Sequence, residues 1–267
     1  MINFNTESNS SLLQKVQNKQ ESILEKLSSG KRINSAADGA AAQQIIDRLT
    51  SEVEGGRQAI SNAYDGVSLT QVAEGGLAGI NEDVNRIREL SVQSGNGLLT
   101  DADRQAIQSE VSQLQENISQ TIEQTEFAGK SLLSNDGSID FQVGSNADQK
   151  IGVGTQDVLS GLNDILNVDL SSADGVEDAL AAADAATEFV GSARADLGAT
   201  QSQFESAARN LTQTNVNVAA ARSRIQDTDF AQATSENAAA GILSQAGIAV
   251  QEIANQQQGQ VLSLLNG

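Results

Sequence analysis

The chain contains no cysteine, no histidine, no tryptophan and no proline. Without cysteine there is no thiolate nucleophile, no zinc knuckle and no disulfide. Without histidine there is no imidazole base and no histidine metal ligand. A single tyrosine, Tyr64, and six phenylalanines offer little surface on which nucleic-acid bases could stack. The lack of proline works in the other direction. An interior proline costs a helix about 3 kcal/mol, so its absence permits long uninterrupted helices. No apolar run approaches the ~20 residues of a membrane span. The start, Met1-Ile2-Asn3-Phe4, has no basic region followed by a long apolar core. The protein is therefore expected to be cytoplasmic, or exported without a cleaved signal.

What is present is acid. The 267 residues carry a net charge of −19, which repels nucleic acid and anionic membrane surfaces. No nucleic-acid partner and no membrane insertion are expected. The charge is uneven: residues 1–33 have a net of +2, 34–133 of −9, 134–187 of −9 and 188–267 of −3. The last 38 residues hold only Glu236 and Glu252 as charges. Both ends are thus suited to burial, and the middle to solvent.

The ends also carry matching apolar stripes. Leu13, Val16, Ile23 and Leu27 fall on one helical seam, with Leu12 and Leu24 beside it. Leu243, Ala246, Val250, Ile253 and Leu264 form another, with Ile242, Ala249 and Val261 alongside. Seams this narrow suit other helices, and the two are expected to pair as a coiled coil, first within one chain and then with neighbouring copies. The last helix also holds Asn255, Gln256, Gln257, Gln258 and Gln260. These suit water-lined packing or a lumen, or are simply a polar helix face of unusual composition.

Between the ends, steps of three and four run from Val176 to Ile225 through Ala183, Val190, Leu197, Phe204, Leu211 and Val218, with only two threonines breaking the seam. Fifty residues at helical rise reach roughly 75 Å, longer than a compact globule of this chain length, so the expected molecule is a rod. Ile46, Leu49, Val53, Ile60, Ala63 and Val67 form a partner seam, resuming out of phase at Ala73, Leu77, Ile80, Val84 and Ile87. Gly55-Gly56 and Gly75-Gly76 within it mark close helix approach, a phase adjustment or a soft exposed turn. Asn96-Gly97 reads as a turn. Asp101 or Asp103 can cap a third helix carrying Ile107, Val111, Leu114, Ile118 and Ile122. Ile139, Phe141 and Val143 alternate with polar residues, as do Ile151 and Val153, which reads as a β-hairpin. Residues 154–175 read as loop with a short ordered piece.

No chemistry-bearing constellation is expected: no catalytic residue, no cofactor and no metal site. Asp136/Asp140 and Asp227/Asp229 lack calcium-loop spacing and read as solvated acids or helix caps. Gly75-Gly76-Leu77-Ala78-Gly79 has neither dinucleotide spacing nor a following Lys-Ser/Thr. Lys31-Arg32 reads as an interchain charge contact. The Asn-x-Ser/Thr triplets at Asn9, Asn117 and Asn210 are expected by chance in so Asn- and Ser-rich a chain.

Several segments together resemble bacterial flagellins. Leu27-Ser-Ser-Gly-Lys-Arg-Ile-Asn-Ser-Ala36 is similar to their N-terminal pattern. Ala63-Tyr-Asp-Gly-Val-Ser-Leu69, Ala73-Glu-Gly-Gly-Leu77, Arg86-Ile-Arg-Glu-Leu-Ser-Val-Gln93 and Thr125-Glu-Phe-Ala-Gly-Lys130 continue it. Leu197-Gly-Ala199, Ser223-Arg-Ile-Gln-Asp227, Ile242-Leu-Ser-Gln-Ala-Gly247 and Val261-Leu-Ser-Leu-Leu265 match at the other end. The resemblance covers roughly 1–133 and 188–267, in order. Departures are Ala37-Asp38-Gly39-Ala40-Ala41-Ala42, where the family usually has an acidic pair and a glycine, a shorter N-terminal helix, and no proline near Gln256-Gln-Gln-Gly259.

The resemblance implies a mainly α fold, an elongated rod of long antiparallel helices with a small β-hairpin and terminal helices paired as a coiled coil. It implies a terminal domain of 1–41 with 226–267, a helical rod domain of 42–225 with its hairpin near 138–153, and no separate outer domain. The implied role is a non-enzymatic, self-assembling subunit of the extracellular flagellar filament, exported unfolded through the flagellar type III apparatus. The implied partners are other copies, an export chaperone, the filament cap and hook-junction proteins. The resemblance also implies a Toll-like receptor surface at Arg86, Leu90, Gln93 and Glu110, and an inflammasome-sensor contact at Leu262, Leu264 and Leu265. Other readings are a hook–filament junction protein or a secreted monomeric adhesin or immune ligand.

Overall fold

The computed structural model describes residues 6–172 and 175–265, with side chains for 11–172, 175–257 and 259–260. The described elements are α1 (Thr6–Ser29), α2 (Ala36–Ser94), α3 (Asp101–Gln124), β1 (Glu126–Phe127), β2 (Lys130–Ser131), β3 (Gly137–Gln142), β4 (Lys150–Thr155), α4 (Val158–Gly161), α5 (Asn163–Leu166), α6 (Gly175–Gln226) and α7 (Phe230–Leu265). The backbone of α2 is extended at Gly39, so its uninterrupted part begins after that residue. The chain divides into two compact units, 1–53 with 216–267, and 54–215.

The second unit packs α2, α3 and α6 around one core. α2 contributes Leu69, Leu77, Ile80, Val84, Ile87 and Leu90, and α3 contributes Ile107, Val111, Ile118 and Ile122. α6 answers mainly with small residues, Ala179, Ala183, Ala186 and Ala193, and with Val190, Leu197 and Phe204. Small side chains let helix axes approach closely. One tight fit is at Gly66, where a Cβ would lie 2.5 Å from the ring of Phe204. That ring stands edge-on to Phe141 of β3, centroids 5.4 Å apart and planes at 89°, a favoured aromatic geometry. Of the glycine pairs, Gly56 packs against Asn215 and Gly76 against Thr125, while Gly75 faces open space. Close approach is therefore what they serve, within an unbroken helix.

The expected hairpin is β3–β4, antiparallel, pairing Phe141 with Ile151 and Ile139 with Val153. The Thr125–Lys130 segment forms a second, shorter hairpin, β1–β2, with Ala128 and Gly129 both at positive φ, as a two-residue hairpin turn of the primed type requires. The stretch 154–175 holds α4 and α5, which bury Val158, Leu162 and Ile165 against the core. The cap of α3 differs from expectation. Thr100 is the N-cap, and Asp103 is its reciprocal partner in a capping box.

The first unit is tied at a short junction between α1 and α2 on one side and α6 and α7 on the other. Gly30 sits at φ 69° and turns the chain out of α1. The backbone N–H of Arg32 donates to the Gln226 carbonyl at 2.6 Å, its guanidinium donates to the Ile225 carbonyl at 2.6 Å, and Thr228 N–H donates to Gly30 O at 3.0 Å. Lys31 forms an antiparallel bridge with Asp227. Lys31-Arg32 thus acts as a staple within the chain. A cation there satisfies the last carbonyls of α6 and complements the helix dipole. The acids nearby hold backbone or hydroxyl groups: Asp229 accepts from the N–H groups of Ala231 and Gln232, and Asp227 from the Ser223 hydroxyl.

Asp38 closes the junction. Its carboxylate accepts from Ser35 N–H at 2.9 Å and Asn34 N–H at 3.0 Å. These backbone donors hold its pKa below the ordinary carboxylate value. Asp103 is lowered likewise, first by the Thr100 hydroxyl and then by its N–H. Asp83 moves the opposite way, raised chiefly by burial.

Two outcomes are expected. Phe204→Ala leaves a cavity over Gly66 and should lower the unfolding free energy by about 3–5 kcal/mol in denaturant titration. A folded-state pKa below the unfolded one stabilises above the unfolded value, and that stability disappears as pH falls through the folded value. The denaturant midpoint should therefore hold from neutral pH down to about pH 5 and fall below about pH 4. Asp38→Asn should make that acid decline shallower, and an unchanged decline would show that Asp38 has no part in it.

Candidate functional site

α1 and α7 pack antiparallel, with Leu13 against Gly247, Gln20 near Gly241 and Phe230 over Gly30. On α1 the inward residues are those expected: Ile23 is buried, and Leu13, Val16 and Leu27 are half-buried. Leu12 and Leu24 turn outward, 61% and 49% exposed.

The face that α7 presents to α1 is not the expected one. Ala233, Ala240 and Ala254 are buried, and Asn237, Ser244, Gly247 and Gln251 are half-buried. These seven positions alternate steps of four and three, a heptad seam with small residues at one position and polar ones at the other. At Gly247 an added Cβ would lie 3.2 Å from Leu13 Cδ1, so a large side chain of α1 settles where α7 has none. The seam is shallow and incompletely satisfied. The side-chain oxygens of Asn237 and Gln251 are enclosed without a hydrogen-bond partner among the described residues. An enclosed unpaired polar group costs about 1–3 kcal/mol.

The large apolar residues of α7 face away. Leu243 is 60% exposed, Val250 52%, Ile253 56% and Ile242 68%. Ala246 and Ala249 beside them are exposed as well. This corrects the expectation that Leu243, Val250 and Ile253 meet α1 in the same chain. The physical reason is fit: α1 already supplies bulk, and a narrow two-helix seam accepts bulk from one side. Residues 242, 246, 249 and 253, with 243 and 250, recur at helical spacing and so form one continuous outward stripe. A monomer rarely exposes a large contiguous apolar patch that has no partner. The side chains of Leu262, Leu264 and Leu265 lie outside the described residues. Asn255, Gln256 and Gln257 are exposed.

A second surface lies on the α2–α3 face of the other unit. The Arg86 guanidinium donates twice to Glu110, at 3.0 and 2.7 Å, and once to Glu89 at 3.0 Å. These carboxylates, Glu110 first, hold the guanidinium pKa above its ordinary value. The pair is half exposed, so its contribution to stability is small. Gln93 is exposed on the same helix. Leu90 is only 2% exposed and belongs to the core. The structure therefore brings Arg86 and Glu110 together and places Leu90 inside, so it cannot form part of a receptor surface as expected.

Comparison with known proteins bears on what these surfaces serve. Residues 2–138 match the bacterial flagellin N-terminal helical region, and residues 180–265 match the bacterial flagellin C-terminal helical region. The chain is 38% identical to a flagellin of Bacillus subtilis over 91% of both chains. It is 37% identical to the flagellar filament 30.7 kDa core protein of Treponema maltophilum, again over 91% of both. A crystal structure of Bacillus cereus flagellin shares the fold with a TM-score of 0.51 at 24% identity, covering 61% of this chain and 94% of that one. With both terminal regions matched and full-length relatives at this identity, the chain belongs to the bacterial flagellin family, a family of structural proteins and not of enzymes.

Proposed function

We propose that this flagellin, a structural subunit of the extracellular flagellar filament, polymerises by covering the outward stripe of α7 with neighbouring copies. The observation that carries the reading is the division of labour on α7. Its small residues take α1 of the same chain, and its large ones are left for something else. Full burial of a Leu, Val or Ile side chain is worth about 1.5–3 kcal/mol, so Ile242, Leu243, Val250 and Ile253 together supply an interface of useful strength. Leu264 extends the same stripe by sequence, and Leu13, Val16, Ile23 and Leu27 support it by holding α7 in place. In this reading residues 1–41 with 226–267 form the assembly domain, and 42–225 form the helical rod domain.

The same reading extends to partners. An export chaperone, the filament cap and hook-junction proteins engage its terminal helices. Host recognition is a separate extension. The exposed Arg86–Glu110 pair with Gln93 supports a polar receptor surface, without Leu90. Leu262, Leu264 and Leu265 remain the proposed contact for a cytosolic sensor.

The test is assembly with a stability control. Leu243→Ser, Val250→Ser and Ile253→Ser combined should change the unfolding free energy by no more than about 0.5 kcal/mol, as surface substitutions usually do. The same variant should form no filaments in light scattering and electron microscopy of seeded protein. Deleting residues 1–30 or 235–267 should also abolish polymerisation. Filaments from the triple variant at the wild-type protein concentration would overturn the reading.

A further inference from the structure

We infer that Asn96 is a site of spontaneous covalent modification, deamidating through a cyclic imide with Gly97, and that the two products, both of which place a carboxylate beside Arg104, differ in their effect on the α2–α3 turn because only one keeps the main-chain length. The feature is a turn that function leaves unused. Asn96-Gly97 is the sole Asn-Gly pair among the described residues. Residues 95–98 are exposed. Ring closure needs the Gly97 backbone nitrogen to attack the Asn96 side-chain carbonyl carbon. That N–H donates to no described residue, and the Asn96 side-chain nitrogen, the leaving group, is likewise unengaged among them. Nothing lies within 4 Å of the position a Cβ on Gly97 would take, so no side chain obstructs the approach. Glycine also samples more backbone conformations than any other residue.

The step balances simply. The Gly97 nitrogen forms a bond to Asn96 Cγ and gives up its proton, and the Cγ–Nδ2 bond breaks to release ammonia. Water then opens the imide at either carbonyl. Opening at one gives aspartate, and opening at the other gives isoaspartate, which carries the main chain through the side-chain carbon. No oxidant or cofactor is involved.

The structure says why the products differ. Arg104 is buried, and its guanidinium donates to the Ser94 carbonyl and, at 3.3 Å, to the Asn96 carbonyl. It has no carboxylate partner among the described residues. A buried cation without a counter-charge carries a desolvation cost. Aspartate at 96 brings a negative charge close to it, while its side chain can go on accepting the Leu98 N–H that Asn96 Oδ1 now holds at 3.1 Å. Isoaspartate carries the same charge, as a free carboxylate made from the Asn96 carbonyl that the guanidinium holds, but it routes the main chain through the former side-chain carbon and lengthens it by one carbon, which displaces the bonds that residue 96 now accepts from the Leu98 and Leu99 N–H groups. The first product preserves the turn, and the second loosens it.

The experiment uses the full chain, aged in neutral buffer and mapped by mass spectrometry, with enzymatic carboxyl methylation to report isoaspartate. The Asn96 peptide should gain one mass unit faster than peptides holding the exposed, non-helical Asn34, Asn135 and Asn146. Gly97→Ala, which the open space accommodates, should slow it roughly tenfold, the effect of about 1.4 kcal/mol on the barrier. Limited proteolysis should cut aged protein in the 95–100 turn sooner than fresh protein, and Asn96→Asp no sooner than fresh protein. Conversion at Asn96 no faster than at the three controls, or unaffected by Gly97→Ala, would overturn the site. Cleavage of Asn96→Asp as fast as of aged protein would overturn the difference drawn between the two products.

Discussion

A helix can bury only the faces that something else covers, and α7 has two faces that want covering. One is a heptad of alanine and glycine with polar residues between, and it lies against α1. The other is a stripe of leucine, isoleucine and valine, and it is exposed among the described residues. Because the small face takes the intrachain partner, the apolar material with the greatest transfer free energy stays exposed, and in the proposed assembly it is this material that neighbouring copies cover. The enclosed oxygens of Asn237 and Gln251, unpaired among the described residues, take from the strength of the intrachain seam.

The unit of 54–215 follows a different logic. Its surface needs are met internally, by helices that approach closely because α6 supplies alanines and α2 supplies Gly66 and Gly76 at tight points. Its charged residues are mostly on the surface, in exposed pairs such as Arg86–Glu110 and Arg88–Asp184. Arg104 is the exception, a buried cation used to hold the carbonyls at the end of α2.

Much of this architecture is legible in the order of the residues. The long helices, the β3–β4 hairpin and the inward face of α1 all follow from periodicity. The departures have physical causes. A strict seven-residue pattern drifts by about 20° per heptad on a straight helix, so the seam of α6 holds as far as Phe204 and then passes to Ala208 in place of Ala207. The same drift buries Ala59 and leaves Ile60 half-buried on α2. On α7 the departure is larger, because apolar size is a poor guide to which face meets the partner helix. The better signal is Ala233, Ala240, Gly247 and Ala254, spaced by sevens, which the bulkier residues around them outweigh. The β1–β2 hairpin is hidden from periodicity because two-residue strands carry no alternation to read.

The bridge between Lys31 and Asp227 has a consequence for time. It joins the two ends of the chain, so the loop it closes contains the whole of residues 54–215. Closure entropy grows only logarithmically with length, about 0.6 kcal/mol per doubling, so the size of that loop is thermodynamically tolerable. Order of arrival is the stricter condition. If the chain is delivered end first, one terminal helix must wait without its partner until all the rest has passed. Whichever end leads, the pairing of α1 with α7 is the last of these contacts to close.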